Sequence, residues 1–236
     1  MDVDQVISIQ YRANFSKIFS TLLRILGTHN FSVAEDVTQE TFQRALKDWR
    51  QKGLPENPSA WLMLAAKRVA LDYLRQHDRR QDIITSQVAP SLTSEWTRGY
   101  SMDQAFSDEN IQDDQLRLMF WLCSIDIADT YRLPLALKAL CGLSVQAISR
   151  ALLTKPETIK KRITRATAQL DGMLFEIPND NEIDEALERV YQFLYLLFNE
   201  GISAHNPKPD SRNDICNAAL VSVSYTHLTL PTTSRV

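Results

Sequence analysis

Residues 142–166 read GLSVQAISRALLTKPETIKKRITRA, which is the pattern of a helix-turn-helix. A short first helix follows Gly142, and Thr154 and Glu157 fit a capping box at the start of a second helix. The second helix has an apolar stripe at helical spacing, formed by Ile159, Ile163, Ala166 and Leu170. This stretch therefore predicts a small helical domain whose second helix can enter the major groove of DNA.

The other side of this second helix is basic. We expect Lys161, Thr164 and Arg165 to reach base edges, and Lys160 and Arg162 to contact phosphates. The full predicted DNA-binding set is Lys155, Thr158, Lys160, Lys161, Arg162, Thr164 and Arg165. The alternative is a solvated basic helix in an ordinary bundle. The capped second helix and its one-sided basicity together favour DNA.

A second basic stretch, residues 57–80, reads NPSAWLMLAAKRVALDYLRQHDRR. Asn57 and Pro58 are typical of an N-cap and a first helical turn. The predicted buried stripe is Trp61, Leu62, Ala65, Val69 and Tyr73, and the predicted cationic row is Lys67, Arg68, Arg75, Arg79 and Arg80. Cations beside aromatic rings can hold bases that leave a duplex. The position of Trp61 and Tyr73 on the apolar stripe favours a core role for both.

An amphipathic helix is predicted from Ser32, with Ser32 and Glu35 as its capping box. Its apolar half contains Val37, Phe42, Ala45, Leu46 and Trp49, and its polar half contains Asp36, Gln39, Glu40 and Gln43. Asp36 and Glu40 lie one turn apart and can hold a metal. A solvated or partner-binding face is the favoured interpretation.

The composition favours an all-α protein, with 6 Gly and 44% hydrophobic residues among 236. A formal net charge of −3 argues against nonspecific coating of nucleic acid. Cys123, Cys141 and Cys216 lack CxxC spacing, which indicates reduced thiols. The chain begins without a signal peptide, and its most apolar run, residues 190–198, is too short to span a bilayer. A cytoplasmic protein without a membrane partner is expected.

The sequence shows no recognisable arrangement of catalytic residues. The histidines are scattered, and no nucleophile elbow, phosphate loop or metal-spaced cluster is present. We therefore expect a protein that is not an enzyme and that needs neither cofactor nor metal.

The predicted organisation is a helical domain at 1–80, a linker at 81–112, the helix-turn-helix domain at 113–172, and the start of a third helical unit at 179–220. Pro90, Gly99 and unbalanced acids mark the linker. The tail at 221–236 resembles translated sequencing-adapter sequence and is left out of the fold prediction.

Taken together, these segments resemble a bacterial RNA polymerase sigma factor of the extracytoplasmic-function (ECF) type. Residues 34–45, AEDVTQETFQRA, resemble region 2.2, and residues 61–75 resemble regions 2.3 and 2.4. Residues 142–166 resemble region 4.2, and the two blocks cover 10–80 and 113–171 in the order of the family. The resemblance implies that core RNA polymerase, through its β′ clamp helices and β flap, and promoter DNA are the partners.

The resemblance also assigns roles to the predicted residues. Asp36, Gln39, Glu40 and Gln43 would face the polymerase, the row from Lys67 to Arg80 would engage the −10 element, and the set from Lys155 to Arg165 would engage the −35 element. Three positions depart from the family pattern: Arg68 replaces a common Asn, Ala147 replaces a common acid, and Leu153 replaces a turn glycine. We expect the turn at Leu153 to be built without a positive φ.

Residues 195–204, YLLFNEGISA, are similar to sigma factors with a fused helical C-terminal extension. That similarity implies intramolecular regulation by the extension in place of a separate anti-sigma factor, and we expect the extension to be truncated in this sequence. Two alternatives stay open. One is a free-standing helix-turn-helix regulator that binds a palindrome as a dimer, and the other is a helical scaffold without a nucleic-acid role.

Overall fold

The computed structural model describes residues 2–84, 102, 104–170, 173, 175, 187–193 and 195, and it confirms the all-α prediction there, since none of these residues lies in a strand. The helices are α1 (Val3–Leu26), α2 (Phe31–Lys52), α3 (Pro58–Ile84), α4 (Asp108–Ser124), α5 (Asp129–Cys141), α6 (Val145–Ala151) and α7 (Pro156–Ala168). A 3-10 turn, Thr28–Asn30, joins α1 to α2. The contacts divide the chain into two compact units, Met1–Asp114 and Gln115–Val236.

In the first unit α1, α2 and α3 pack against one another around an aromatic core. The ring of Tyr11 on α1 lies 4.7 Å from that of Phe42 on α2, and Trp49 on α2 meets Trp61 on α3 edge to face at 5.5 Å. Burial, and to a smaller extent the Glu35 carboxylate, raises the pKa of Tyr11 to about 12. These ring contacts fix the rotation of α2 and α3 about their axes.

The start of α2 differs from the prediction. The helix begins at Phe31, directly after the 3-10 turn, so Ser32 lies inside the helix and is not its cap. Asn30 holds the N-cap position without capping, because its side-chain amide donates to the Leu26 carbonyl at 2.8 Å. The predicted capping box of Ser32 and Glu35 is therefore wrong.

The start of α3 agrees with the prediction. The Asn57 side-chain oxygen accepts a hydrogen bond from the Ala60 amide at 3.0 Å, and Pro58 occupies the first turn. The Ser59 hydroxyl donates to the buried side-chain oxygen of Asn14 at 2.7 Å. These two bonds fix the N-terminal end of α3, the helix that carries the predicted cationic row.

Part of the predicted linker belongs to the first unit. Helix α3 continues to Ile84, α4 begins at Asp108, and Met102, Ala105 and Ile111 are buried. Pro90 and Gly99, which mark the linker in the sequence, lie outside the described residues. The sequence does not predict this packing, because the buried residues in the segment are few and lie among acidic residues.

An ion pair ties this segment to α1. The Arg24 Nε lies 2.6 Å from the Asp114 Oδ1, and the Arg24 Nη2 donates to the Ala105 carbonyl at 3.4 Å. Asp114 is 1% exposed and Arg24 is 31% exposed, so this pair is shielded from water on one side. Losing one partner of such a pair leaves the other charge poorly compensated.

We predict that Asp114→Asn lowers the free energy of unfolding by about 2 kcal/mol, a value reduced for the partial exposure of Arg24. Urea denaturation of the full chain followed by circular dichroism measures the loss. The control is Asp126→Asn, which removes the same charge from an exposed position. Equal midpoints for the two variants would show that the pair does not stabilise the first unit.

In the second unit α5 and α6 both pack against α7. The Arg132 guanidinium fixes the entry to α5, because Nη2 donates to the Ile125 and Ile127 carbonyls at 2.9 Å. Gly142 ends α5 with a φ of +63°, which favours glycine. Cys123 is buried, and this burial raises the pKa of its thiol to about 12, so the thiol stays protonated at neutral pH.

Of the predicted third unit at 179–220, the structure describes a helical segment at 187–193 and residue 195. Val190 and Phe193 are buried, and Tyr191 and Tyr195 are exposed. The predicted non-native tail at 221–236 and Cys216 lie outside the described residues. None of the described helices combines the length and the hydropathy of a membrane span.

Candidate nucleic-acid interface

Helix α7 buries one side and exposes a basic one. Ile159, Ile163, Ala166 and Leu170 are buried, as their spacing predicts. Of the predicted DNA-binding residues, Lys155, Lys160, Lys161, Thr164 and Arg165 are exposed, and Thr158 and Arg162 are half-buried at the flanks. The structure therefore gathers the cations of this helix on its solvent side.

The first helix of the motif, α6, is capped by Ser144, whose hydroxyl accepts a hydrogen bond from the Ala147 amide at 3.2 Å. In the turn that follows, the Thr154 amide donates to the Ser149 carbonyl at 3.0 Å, and the Ser149 hydroxyl donates to the Thr154 carbonyl. This reciprocal pair of bonds closes the turn between α6 and α7.

The predicted capping box of Thr154 and Glu157 is wrong. The Thr154 hydroxyl donates to the Leu152 carbonyl at 2.9 Å, so it stabilises the turn and does not cap α7. Lys155 holds the N-cap position of α7 without a side-chain hydrogen bond, and Pro156 fills the first turn. Proline has no amide hydrogen to be capped, which reduces the need for a side-chain cap.

The turn also uses a left-handed residue, against the expectation for Leu153. Leu153 has a φ of +47°, and its side chain is 85% exposed. A leucine in this conformation is strained by its Cβ, at a cost of about 1–2 kcal/mol. The exposed side chain gains little packing to offset that strain.

We predict that Leu153→Gly stabilises the second unit by about 1 kcal/mol, because glycine adopts a positive φ without strain. Thermal unfolding of the full chain measures the change. Leu152→Gly is the matched control: Leu152 has a φ of −94°, so glycine there should destabilise the protein. Destabilisation by both substitutions would show that the positive φ carries no strain.

Two residues of the predicted cationic row, Arg68 and Arg75, lie on the side of α3 away from the first unit's core. Arg68 and Arg75 are exposed and Lys67 is half-buried, whereas Leu62, Ala66 and Val69 are buried. Arg79 and Arg80 fall within α3, but their side chains lie outside the described residues. Trp61 and Tyr73 are half-buried, and the Trp61 ring packs on Trp49, which agrees with a core role.

The polar half of α2 is exposed to solvent. Asp36, Gln39, Glu40 and Gln43 all reach solvent, while Val37, Phe42, Ala45 and Trp49 on the opposite half are buried. We call these four exposed residues the α2 polar face. Within the described residues no group of three or more His, Cys, Asp or Glu side chains is placed to hold a metal.

Two charged residues near these surfaces were not singled out by the sequence. Arg44 donates from Nη2 and Nε to the Glu40 Oε1 at 2.6 and 3.0 Å, and its Nη1 lies 4.0 Å from the Asp72 Oδ2 on α3. Asp72 in turn lies 3.7 Å from the Arg75 Nη1. The spacing of Glu40 and Arg44 is readable in a sequence, but the contact between Arg44 and Asp72 depends on how α2 meets α3.

Part of the first unit is similar to a known protein family. Residues 10–80 match the family model of sigma-70 region 2. The match covers 71 of the 236 residues and shows that this part of the chain is similar to region 2 of sigma-70 proteins. The α2 polar face and the cationic row of α3 both lie within the matched residues.

One curated relative is similar over most of the chain. An uncharacterized protein of Rhizobium meliloti (strain 1021), R00370, is 33% identical over 193 residues, which is 81% of this chain and 45% of that protein. The chain thus spans less than half the length of this relative. No solved structure matches the chain significantly.

Proposed function

We propose that this protein is an ECF-type sigma factor that binds core RNA polymerase and directs initiation at promoters with −10 and −35 elements. The observation that carries the proposal is the presence of a region 2 bundle and a separate basic helix-turn-helix on one chain. A protein with two DNA-facing surfaces can contact two promoter segments at once. The proposed activity is binding and positioning, without a catalytic step of its own.

The proposed contact with polymerase is the α2 polar face. Its residues are exposed on a helix whose other half is held by the aromatic core, so the face is presented on a rigid support. We assign this face to the β′ clamp helices and the second unit to the β flap. Both assignments place the protein in the cytoplasm, where polymerase acts.

The proposed contacts with DNA are the two basic surfaces. Lys67, Arg68, Arg75, Arg79 and Arg80 would engage the −10 element, where cations hold a displaced strand. Helix α7 would engage the −35 element in the major groove, through Lys161, Thr164 and Arg165 at base edges and the flanking cations at phosphates. A C-terminal extension from about residue 179 would regulate these activities within the molecule.

We predict that purified core RNA polymerase is retained by the wild-type protein and that Asp36→Arg/Glu40→Arg abolishes retention. Both substitutions reverse charge on the α2 polar face and leave its buried half unchanged. Asp48→Arg/Glu56→Arg is the control, because it changes the net charge equally outside that face. Retention of the first double variant at wild-type level would refute the assigned surface, and failure of the folded wild type to bind would refute the sigma-factor function.

We predict that Lys161→Glu weakens binding of the reconstituted holoenzyme to selected promoter fragments about tenfold or more, because a base-edge contact becomes repulsive. Retention of core polymerase should be unchanged, since Lys161 lies on the solvent side of α7 that is proposed to face DNA and outside the α2 polar face. Lys52→Glu, an equal reversal at an exposed lysine of α2, is the control. Unchanged promoter affinity in Lys161→Glu would contradict the role of α7, and loss of both activities would indicate misfolding.

A further inference from the structure

The start of α3 carries no charged residue. Residues 59–66 read SAWLMLAA, so after the first serine this part of the helix is apolar on every side. A helix segment that is apolar all round is normally buried all round. Here Leu62 is buried, but Leu64 is 47% exposed, Ala60 is exposed and Met63 is half-buried. We call Ala60, Met63 and Leu64 the apolar patch of α3.

The packing of α3 holds the apolar patch outward. The Asn57 side chain caps the helix one turn before the patch, and the Trp61 ring packs on Trp49. On the core side Leu62 is fully buried, so α3 cannot rotate to bring Leu64 inward without exposing Leu62. The protein therefore keeps a large aliphatic side chain partly in water on a well-anchored helix, an arrangement that a covering partner would stabilise.

Cations follow the apolar patch directly. Lys67 lies one turn beyond Met63, Arg68 lies one turn beyond Leu64, and Arg75 lies two turns beyond Arg68. A partner that covers this side of α3 must therefore offer apolar surface at one end and negative charge along the rest. Nucleic acid offers both, because the faces of its bases are apolar and its backbone is a row of phosphates.

We propose that Leu64, with Met63 beside it, is a wedge that enters the base stack at the edge of the −10 element and holds one base step apart. The proposal rests on the function proposed above. Leucine suits this role because it fills the gap between bases without polar atoms that would need hydrogen-bond partners. Arg68, one turn away, holds a phosphate beside the opened step. Leu64 thus acts on strand opening and not on binding of DNA that is already open.

Strand opening by the reconstituted holoenzyme tests the wedge. The probe is a selected promoter fragment with 2-aminopurine in the −10 element, whose fluorescence rises when the base leaves the stack. We expect Leu64→Ala to slow opening about tenfold, because alanine is too short to hold a base step apart. Leu64→Met keeps an aliphatic side chain of similar volume, so its opening rate should lie within about twofold of wild type.

A premelted fragment separates opening from binding. Its −10 element is mismatched, so no base step has to be unstacked, and the Leu64→Ala holoenzyme should bind it with wild-type affinity. Arg68→Gln should weaken binding to the duplex and to the premelted fragment, because it removes a phosphate contact from both. Ile9→Ala is the matched control for Leu64→Ala, since Ile9 on α1 is 50% exposed, and it should open the duplex at the wild-type rate.

Three results would overturn the proposal: unchanged opening by Leu64→Ala, an equal loss on the duplex and the premelted fragment, or a comparable loss in Ile9→Ala. If the wild-type holoenzyme binds neither fragment, the proposed function is wrong and the wedge falls with it. If the wild type opens the duplex and Leu64→Ala opens it equally fast, the proposed function stands and only the role of Leu64 is wrong.

Discussion

The packing of α2 against both α1 and α3 determines which residues of the first unit reach solvent. Trp49, 2% exposed, sits at the junction with α3, and Phe42 meets Tyr11 of α1. The apolar half of α2 packs against both α1 and α3. The polar half of α2 therefore faces solvent. The same packing brings the Arg44 Nη1 on α2 to 4.0 Å from the Asp72 Oδ2 on α3.

In the second unit, packing of the apolar side constrains α7 in a similar way, although the turn before α7 is strained. Burial of Ile159 and Ile163 aims the lysines and arginines of α7 at solvent. The turn before it is closed by hydrogen bonds between Ser149 and Thr154, with Leu153 held at a positive φ between them. The position of α7 relative to α6 thus depends on a turn in which Leu153 adopts a backbone conformation that is unfavourable for leucine.

Periodicity in the sequence was enough to predict the helical class, the exposure of the α2 polar face and most of the buried stripes of α2, α3 and α7, although Leu46, Trp61 and Tyr73 are half-buried. The capping box at Ser32 was mispredicted because α2 begins at Phe31, directly after a 3-10 turn, and the one at Thr154 because its hydroxyl donates to the Leu152 carbonyl. The Arg24–Asp114 and Arg44–Asp72 contacts join segments distant in sequence, and only the packing of helices brings them together.

The central claim is that one chain brings polymerase to two separated DNA segments and helps to open one of them. The most direct measurement is footprinting, with DNase I for protection and permanganate for unpaired thymines, of promoter fragments selected with core polymerase and this protein together. The account predicts two separate protected segments, with reactive unpaired thymines only in the downstream one and only when polymerase is present. A single two-fold symmetric footprint formed without polymerase would contradict it and would favour a free-standing regulator.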